Sequence, residues 1–224
     1  MKTNIRFFLQ LTKMSFGLLF LLNSCIPSTN YTSSVGGCPK VFKSGEKILM
    51  GEAAGVSPNQ SYEFYEQFAE RVNKAGLMPY YAVEQEMDLR VHGIKPNEAI
   101  DSSSLVILQR LGYDYYIKVN VGNTSSGTGY TSVSASEQRE LQTGYGTKAE
   151  DKTKASVVFE LYSTSKKQLI YTLAATTTME GVTLPSKETE NGYRGSKSIN
   201  LSTTPITVKK AFNKGVEKLL QACQ

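Results

Sequence analysis

Side chains suited to acid–base or nucleophilic chemistry are scarce in this 224-residue chain. A hydrolytic triad requires a histidine base, and the single histidine is His92, which precedes Gly93 at the predicted end of an element. That position favours a surface or structural role. Gly127-Thr128-Gly129 is too short to form a phosphate-binding loop. We therefore expect no catalytic residue and no cofactor, and an enzyme, for example one with a carboxylate pair for glycoside cleavage, is the third of three hypotheses.

One row of carboxylates could bind a metal ion. If residues 79–91 formed a single strand, Glu84, Glu86 and Asp88 would lie on one face of it. Arg90 would lie beside them, and the sequence has no second histidine to act as a ligand. We interpret the row as a solvated strand face and expect no metal site, although the segment could instead become helical after residue 83.

The charge of the chain argues against nucleic-acid binding. The formal net charge is +5, but Lys2, Arg6 and Lys13 belong to a predicted targeting segment. Without them, 22 basic and 20 acidic residues remain, which is too small an excess for a phosphate-binding surface. The composition, with 40% hydrophobic and 20% charged residues, is that of a folded globular domain.

The N-terminus has the pattern of an export signal. The three positive charges precede or flank an apolar run, residues 14–22, which is too short to span a bilayer as a helix. Leu22-Asn23-Ser24-Cys25 follows and resembles the bacterial lipobox, whose cysteine becomes the acylated N-terminus of the mature protein. The resemblance predicts residues 1–24 as a lipoprotein signal peptide and Cys25 as the lipidated residue. An ordinary cleaved signal peptide is less favoured. That cleavage requires a small side chain three residues before the new N-terminus, and Leu22 is large.

Acylation of Cys25 would anchor the protein to a membrane. Each buried methylene contributes about 0.8 kcal/mol, so several acyl chains make release negligible. Ile26 rather than aspartate follows the cysteine, which favours the periplasmic face of the outer membrane. Residues 25–40 are polar and rich in turn-forming residues, and we predict a flexible tether with a reach on the order of 20 Å.

Two further cysteines, Cys38 and Cys223, are candidates for a disulfide. Export would place the chain in an oxidising compartment, and a bond between these cysteines would close nearly the whole domain. The alternative is a pair of free thiols.

Residues 41–224 alternate predicted strands and helices, and we interpret them as one mixed α/β domain. Ser57 and Pro58 begin a helix with an apolar stripe, a second helix ends at Gly112, and Thr204 begins the last helix. Short apolar or alternating runs predict strands at residues 47–53, 79–83, 114–121, 155–161 and 169–175. The order β-α-β-α-β-β-β-α predicts a mixed β-sheet covered by helices.

Two long polar insertions interrupt this pattern, at residues 122–154 and 180–203. Both are longer than the usual connections in a compact domain, and loops displayed on a rigid scaffold commonly bind partners. Tyr130, Tyr145 and Tyr193 are the aromatic side chains that we expect to be exposed there and to bind a partner.

Two longer segments carry a family resemblance. Residues 111–117 lead from a helix into a strand, and residues 157–171 form a predicted hairpin. With the order of elements over residues 45–220, they resemble the bacterial periplasmic α/β lipoproteins that include curli-type secretion channels and penicillin-binding-protein activators. The resemblance implies a mixed α/β fold in the cell envelope. It also implies a pore hypothesis, because curli-type proteins insert pore strands at the same two connections.

Two non-enzymatic hypotheses follow from these patterns. In the first, the anchored protein is a recognition or scaffold module whose insertions contact an envelope protein or glycan. In the second, it is one subunit of an oligomeric outer-membrane pore, and the insertions are membrane hairpins. Strands of such pores need about ten residues with alternating lipid-facing apolar side chains, and the second insertion offers only Val182, Leu184, Tyr193, Ile199 and Leu201. We therefore favour the recognition module.

Overall fold

The computed structural model describes residues 28–34, 38, 40–94, 100–127, 129–143 and 152–224. They divide into two compact units. The larger unit comprises the described residues of Thr29–Ser125, Lys154–Thr178 and Thr204–Gln224, and the smaller unit comprises those of Ser126–Thr153 and Met179–Thr203 together with Ser28. The sequence predicted residues 41–224 as one domain. Within these residues the two insertions form a sheet of their own, and the single-domain assignment stays a prediction.

Nine strands and five helices lie within the described residues. The strands are β1 (Ser28–Ser34), β2 (Lys47–Met50), β3 (Met78–Tyr81), β4 (Tyr115–Ser125), β5 (Gly129–Val133), β6 (Lys152–Ser163), β7 (Gln168–Glu180), β8 (Val182–Glu190) and β9 (Tyr193–Asn200). The helices are α1 (Pro58–Lys74), α2 (Glu86–Val91), α3 (Ser102–Arg110), α4 (Ala135–Thr143) and α5 (Thr204–Cys223). The predicted mixed α/β class is confirmed.

The larger unit is built on one six-stranded mixed sheet, with the strand order β1-β7-β6-β4-β2-β3. β2 pairs in parallel with both β3 and β4, as helical connections between strands allow. β4 pairs antiparallel with β6, from Tyr115 opposite Ser163 to Gly122 opposite Ser156. The turn 164–167 then leads from β6 to its neighbour β7.

Helices cover both faces of this sheet. On one face, α1 and α5 pack over a core that includes Phe64, Phe159 and Phe212. The rings of Phe64 and Phe212 stack with their centroids 4.4 Å apart. On the other face, α2 and α3 bury leucines against Leu49 and Tyr116. Burial on both faces explains why both Tyr115 and Tyr116 of β4 are buried, where simple alternation predicts only Tyr115 inward.

The start of α1 is where the sequence predicted it. Ser57 Oγ accepts a hydrogen bond from the backbone N–H of Gln60, and Gln60 Oε1 accepts one from the backbone N–H of Ser57. Pro58 occupies the first helical position. This capping box pairs N–H groups that the helix start would otherwise leave unsatisfied. Among the described residues, no helix has both the length and the apolar composition needed to cross a membrane.

Part of the segment predicted as a flexible tether is a strand. Ser28–Ser34 forms β1 at the edge of the six-stranded sheet, next to β7. The hydroxyls of Thr29 and Thr177 form a hydrogen bond of 2.9 Å. The polar sequence of β1 contains no apolar alternation from which to predict a strand. The difference arises because β7 offers backbone N–H and C=O groups that an added edge strand can pair.

Candidate functional site

The two insertions fold together in the smaller unit. Their strands form an antiparallel sheet in the order β5-β9-β8. Gly129 in the first insertion pairs with Asn200 in the second. β8 and β9 are joined by Asn191 and Gly192, which have φ angles of 51° and 82° and thus suit a two-residue hairpin turn. Segments predicted as separate binding loops are therefore parts of one folded unit.

Buried polar side chains connect the segments of the smaller unit. Asn200 is buried, and its Nδ2 donates to the carbonyl oxygen of Met179 at 3.3 Å. Its Oδ1 accepts from the N–H of Ser202 at 2.9 Å. Thr153 Oγ1 donates to the carbonyl oxygen of Ser202 at 2.8 Å and accepts from the N–H of Gly127 at 3.2 Å. Because unpaired buried polar groups are costly, these bonds favour one arrangement of the segments.

One face of the small sheet carries exposed apolar side chains. Tyr130 lies opposite Ile199, and Ile199 lies opposite Val182. Opposite residues of antiparallel strands share a face, and Leu184 shares it by the alternation of β8. Tyr130 is 60%, Leu184 56% and Ile199 43% exposed. We call Tyr130, Val182, Leu184 and Ile199 the apolar row. A contiguous exposed apolar group of this kind is typical of an interaction surface.

A groove of about 750 Å³ lies between α4 and the β8–β9 hairpin. Its lining side chains are mainly polar and include one cation and no carboxylate: Gln138, Leu141, Gln142, Thr183, Pro185, Tyr193, Arg194 and Ser196. Arg194 Nε donates to the carbonyl oxygen of Ser186 at 2.6 Å, which holds the guanidinium in place. Gly195 allows the backbone to approach β5, because a Cβ there would lie 2.8 Å from the carbonyl oxygen of Val133.

The structure places the three predicted binding tyrosines differently. Tyr130 belongs to the apolar row and is exposed. Tyr193 is half-buried and lines the groove at the start of β9. Tyr145 lies outside the described residues. The structure therefore assigns Tyr130 and Tyr193 to two features of the smaller unit and does not bring them together as one aromatic site.

Other residues of these surfaces were not predicted as binding residues. Val182, Leu184 and Ile199 were considered only as lipid-facing positions of a pore strand, and the groove residues Gln138 and Arg194 carried no signal in the sequence. Polar residues in a long insertion do not reveal which strands pair. The alternation of apolar residues at 182 and 184 was the one signal that could have indicated an exposed strand face.

The carboxylate row does not form on a strand, because residues 86–91 are helical. Glu86 forms an i,i+4 ion pair with Arg90, and Asp88 lies near His92, with 3.6 Å between Oδ1 and Nδ1. His92 Nδ1 is also 2.8 Å from the carbonyl oxygen of Asp88. In the part of the chain that the structure describes, no group of three or more histidine, cysteine or acidic residues could hold a metal ion.

Each pKa shift found among the described residues moves the pKa of the group further from neutrality. Burial raises the pKa of Tyr115 to about 12. Burial likewise raises the pKa of a set of other tyrosines: Tyr65, Tyr81, Tyr113, Tyr116 and Tyr162. Hydrogen bonds from the N–H groups of Ser104 and Ser134 lower the pKa of Asp101 and Glu137. A general acid or base works best with a pKa near the working pH, and none of these shifts moves a pKa towards that range.

Cys38 and Cys223 are joined in a disulfide bond. Both cysteines are buried, and their Cα atoms are 4.7 Å apart across 185 positions of sequence. Beside the bond, the N–H of Phe42 donates to the carbonyl oxygen of Cys223 at 3.0 Å. The disulfide thus fastens the chain ahead of β2 to the end of α5. Cys25 lies outside the described residues.

No protein-family model and no curated protein matches this chain. Among solved structures, it is similar to the PelC dodecamer from Paraburkholderia phytofirmans, with a TM-score of 0.44 and 10% identity over 88% of this chain and 98% of that one. It is also similar to lipoprotein GNA1162 from Neisseria meningitidis, with a TM-score of 0.37 and 12% identity over 58% of this chain and 78% of that one. For the LpoB C-terminal domain from Escherichia coli the values are 0.36 and 12%, over 58% and 82%. Similarities at this level do not decide the function.

Proposed function

We propose that this protein is a lipoprotein on the periplasmic face of the outer membrane and that it recognises an envelope protein without catalysing a reaction. Cys25 is the proposed site of acylation, and the apolar row is the proposed contact surface. The observation that carries the proposal is the folding of both polar insertions into one unit that exposes this row.

Export is supported by the cysteines as well as by the signal-like N-terminus. Disulfides persist in oxidising compartments such as the periplasm and are rare in the cytosol. The Cys38–Cys223 bond therefore agrees with a mature chain that has left the cytosol. Once these two thiols are paired, Cys25 is the one cysteine of the sequence left for acylation.

Recognition of a protein is supported by the chemistry of the apolar row. Tyrosine is enriched among the residues that dominate binding energy, where its ring fills a pocket of the partner. Tyr130 stands beside aliphatic side chains on a sheet whose hydrogen bonds fix its backbone, so little conformational entropy is lost on binding. An aliphatic and aromatic surface of this kind suits a protein better than a glycan, which needs more hydrogen-bonding groups.

The pore hypothesis has less support from the described residues. The first insertion continues from β5 into the helix α4, so these residues do not form two membrane strands. The second insertion is a hairpin, but it carries the charged residues Lys187, Glu188, Glu190, Arg194 and Lys197. Arginine and lysine on a lipid-facing strand cost about 2–4 kcal/mol each at the bilayer centre, and acidic side chains cost less.

Replacement of Cys25 by serine should abolish anchoring. We expect the wild-type chain to incorporate radiolabelled palmitate and to sediment with membranes, and the Cys25→Ser chain to incorporate none and to accumulate unprocessed or as soluble protein. The physical reason is the loss of the acyl chains. A Ser34→Ala chain is the matched control, since it changes an exposed residue beyond the lipobox and keeps both the proposed anchor and the disulfide. Equal palmitate incorporation by the Cys25→Ser chain would contradict the anchoring proposal.

A photo-crosslinking residue at position 184 should capture the partner in intact cells. We expect a discrete crosslinked product with the lipidated chain, and at least tenfold less of it when Tyr130→Thr and Ile199→Thr are combined, because truncated aromatic anchors typically cost about 2 kcal/mol or more. Threonine keeps a high preference for strands, so the small sheet should persist.

The matched control replaces exposed apolar residues of the larger unit. Met87 and Val91 of α2 are 82% and 78% exposed, so Met87→Gln/Val91→Gln removes comparable apolar surface outside the smaller unit. We expect this variant to crosslink from position 184 as the unmodified chain does. A product that survives the Tyr130→Thr/Ile199→Thr change, or that disappears in the control, would show that the apolar row is not the contact surface.

A further inference from the structure

The solvent-facing side of α5 is strongly basic. The helix contains four lysines, Lys209, Lys210, Lys214 and Lys218, and a single acidic residue, Glu217. Lys210, Lys214 and Lys218 follow one another at intervals of four residues, so they lie on one side of the helix. Lys209, Lys214 and Lys218 are exposed, and Lys210 is half-exposed. We call Lys210, Lys214 and Lys218 the lysine stripe.

This helix accounts for the positive charge of the larger unit. Outside α5, the described residues of the unit carry eleven basic and eleven acidic side chains. The excess is therefore local, and it is not a property of the whole surface. Glu217 lies 2.9 Å from Lys214 Nζ and 3.9 Å from Arg71 Nη2, so Arg71 of α1 adds a positive charge beside the stripe. Glu63 of α1 pairs with Lys209, which lies outside the stripe, at 3.8 Å.

β1 lies beside the lysine stripe. Lys218 Nζ is 5.9 Å from the centre of the Tyr31 ring, a distance at which a cation is attracted to the ring face. The Tyr31 side chain is 40% exposed, so it also remains open to the surroundings. The polar strand β1 and the basic side of α5 thus form a continuous surface of the larger unit.

The position of β1 in the sequence connects this surface to the proposed anchor. Cys25 precedes Thr29 by four residues, and a chain of four residues spans at most about 14 Å even when fully extended. The hydrogen bond between the hydroxyls of Thr29 and Thr177 attaches β1 to the sheet. If Cys25 is acylated, the lipid leaflet must therefore lie close to the beginning of β1, closer than the reach expected for a tether of residues 25–40.

We propose that the lysine stripe and Tyr31 form a surface that contacts anionic phospholipid headgroups in the leaflet that holds the anchor. The inference rests on the proposed function for the presence of the anchor. Clustered lysines are attracted to the negative surface of such a leaflet, and their aliphatic stems can lie along it while the ammonium groups stay hydrated. Tyrosine is enriched at membrane interfaces, where its ring meets acyl chains and its hydroxyl meets water.

The surface would supply a second membrane contact beside the acyl chains. A basic patch is a common companion of a lipid anchor, and its contribution depends on the charge of the leaflet. Two contacts also restrict rotation of the protein about its anchor. The larger unit would then lie on the membrane with α5 towards the headgroups, where a flexible tether alone would leave its orientation free.

The test uses the mature chain from residue 25 with Cys25→Ser, so that binding depends on the surface alone. We expect it to bind vesicles of phosphatidylethanolamine and phosphatidylglycerol (70:30) at low salt and to bind vesicles without the anionic lipid much less. Lys214→Gln/Lys218→Gln should reduce binding to the anionic vesicles by roughly 25-fold, because each lysine near an anionic surface contributes about a factor of five. Raising the salt to 0.5 M should abolish binding.

The matched control is Lys166→Gln/Lys167→Gln, which removes the same charge at the exposed turn between β6 and β7. It should change vesicle binding by less than threefold. The proposal is overturned if the two variants lose binding equally, or if binding does not depend on the anionic lipid. Because the Cys25→Ser chain carries no acyl group, such a failure would leave palmitate incorporation by the wild-type chain unaffected, and the two proposals can fail separately.

Discussion

Reduction of the Cys38–Cys223 disulfide should lower the free energy of unfolding by about 5 kcal/mol, because a bond that closes a loop of this size removes much of the entropy of the unfolded chain. The bond spans 185 positions, so nearly the whole folded region lies inside the loop. A loss of this size is comparable to the entire stability of many domains. We therefore expect the reduced protein to be mostly unfolded at 37 °C.

Urea unfolding with and without reductant measures this effect. Cys38→Ser/Cys223→Ser provides the control, since its unfolding midpoint should match that of the reduced wild type and should not respond to reductant. The structural consequence is specific, because the bond fastens the end of α5 beside the backbone hydrogen bond from Phe42 to Cys223. Identical midpoints for oxidised wild type and the double variant would mean that the bond does not stabilise the fold.

Phe212→Ala should lower the free energy of unfolding by about 3–5 kcal/mol, the usual cost of removing a large buried side chain and leaving a cavity. Phe212 is fully buried. Its ring stacks on Phe64 of α1 at 4.4 Å and lies 5.6 Å from the ring of Phe159 on β6. One side chain therefore connects both helices of this face to the sheet. Gly215, one turn later, leaves no room for a Cβ against Phe159, so α5 packs closely on β6 at this point.

Thermal or urea unfolding of Phe212→Ala against Ile206→Ala tests this packing. Ile206 lies on the same helix and is 47% exposed, so its truncation should change the free energy of unfolding by less than about 1 kcal/mol. Equal losses for the two variants would indicate that α5 does not pack on the sheet as described. The same comparison checks the orientation of α5, on which the lysine stripe depends.

The elements of the larger unit follow from short stretches of sequence. The capping box at Ser57 and the proline after it determine the start of α1 within a few residues. The sequences of β4 and β6 predict strands because every second residue in them is apolar. These signals act over fewer than ten residues, so they do not depend on knowing what the element packs against. Both long helices, α1 and α5, and the central strands were predicted for this reason.

The segment after β3 could not be assigned from the sequence, because it fits two periods. Residues 83, 87, 89 and 91 would share a face of a strand, whereas the helix α2 buries only Leu89. Leu89 packs in the core that also contains Leu105 and Leu108 of α3. The packing of one leucine against another helix, and not the local pattern, selects the helical form.

The sequence by itself determined the order of the main strands and helices of the larger unit apart from β1 and α2, the cysteines that could pair and the polar character of the two insertions, because each of these depends on residue type and local spacing. Only the tertiary structure decided that the insertions form one sheet, since β5 pairs with β9 across about 70 positions of sequence and neither polar insertion carries a local record of the pairing. The same holds for β1, whose backbone becomes a strand because the edge of β7 offers hydrogen bonds to it. Pairing between distant segments is a property of the folded backbone, and the surfaces proposed here for a protein partner and for the membrane both depend on it.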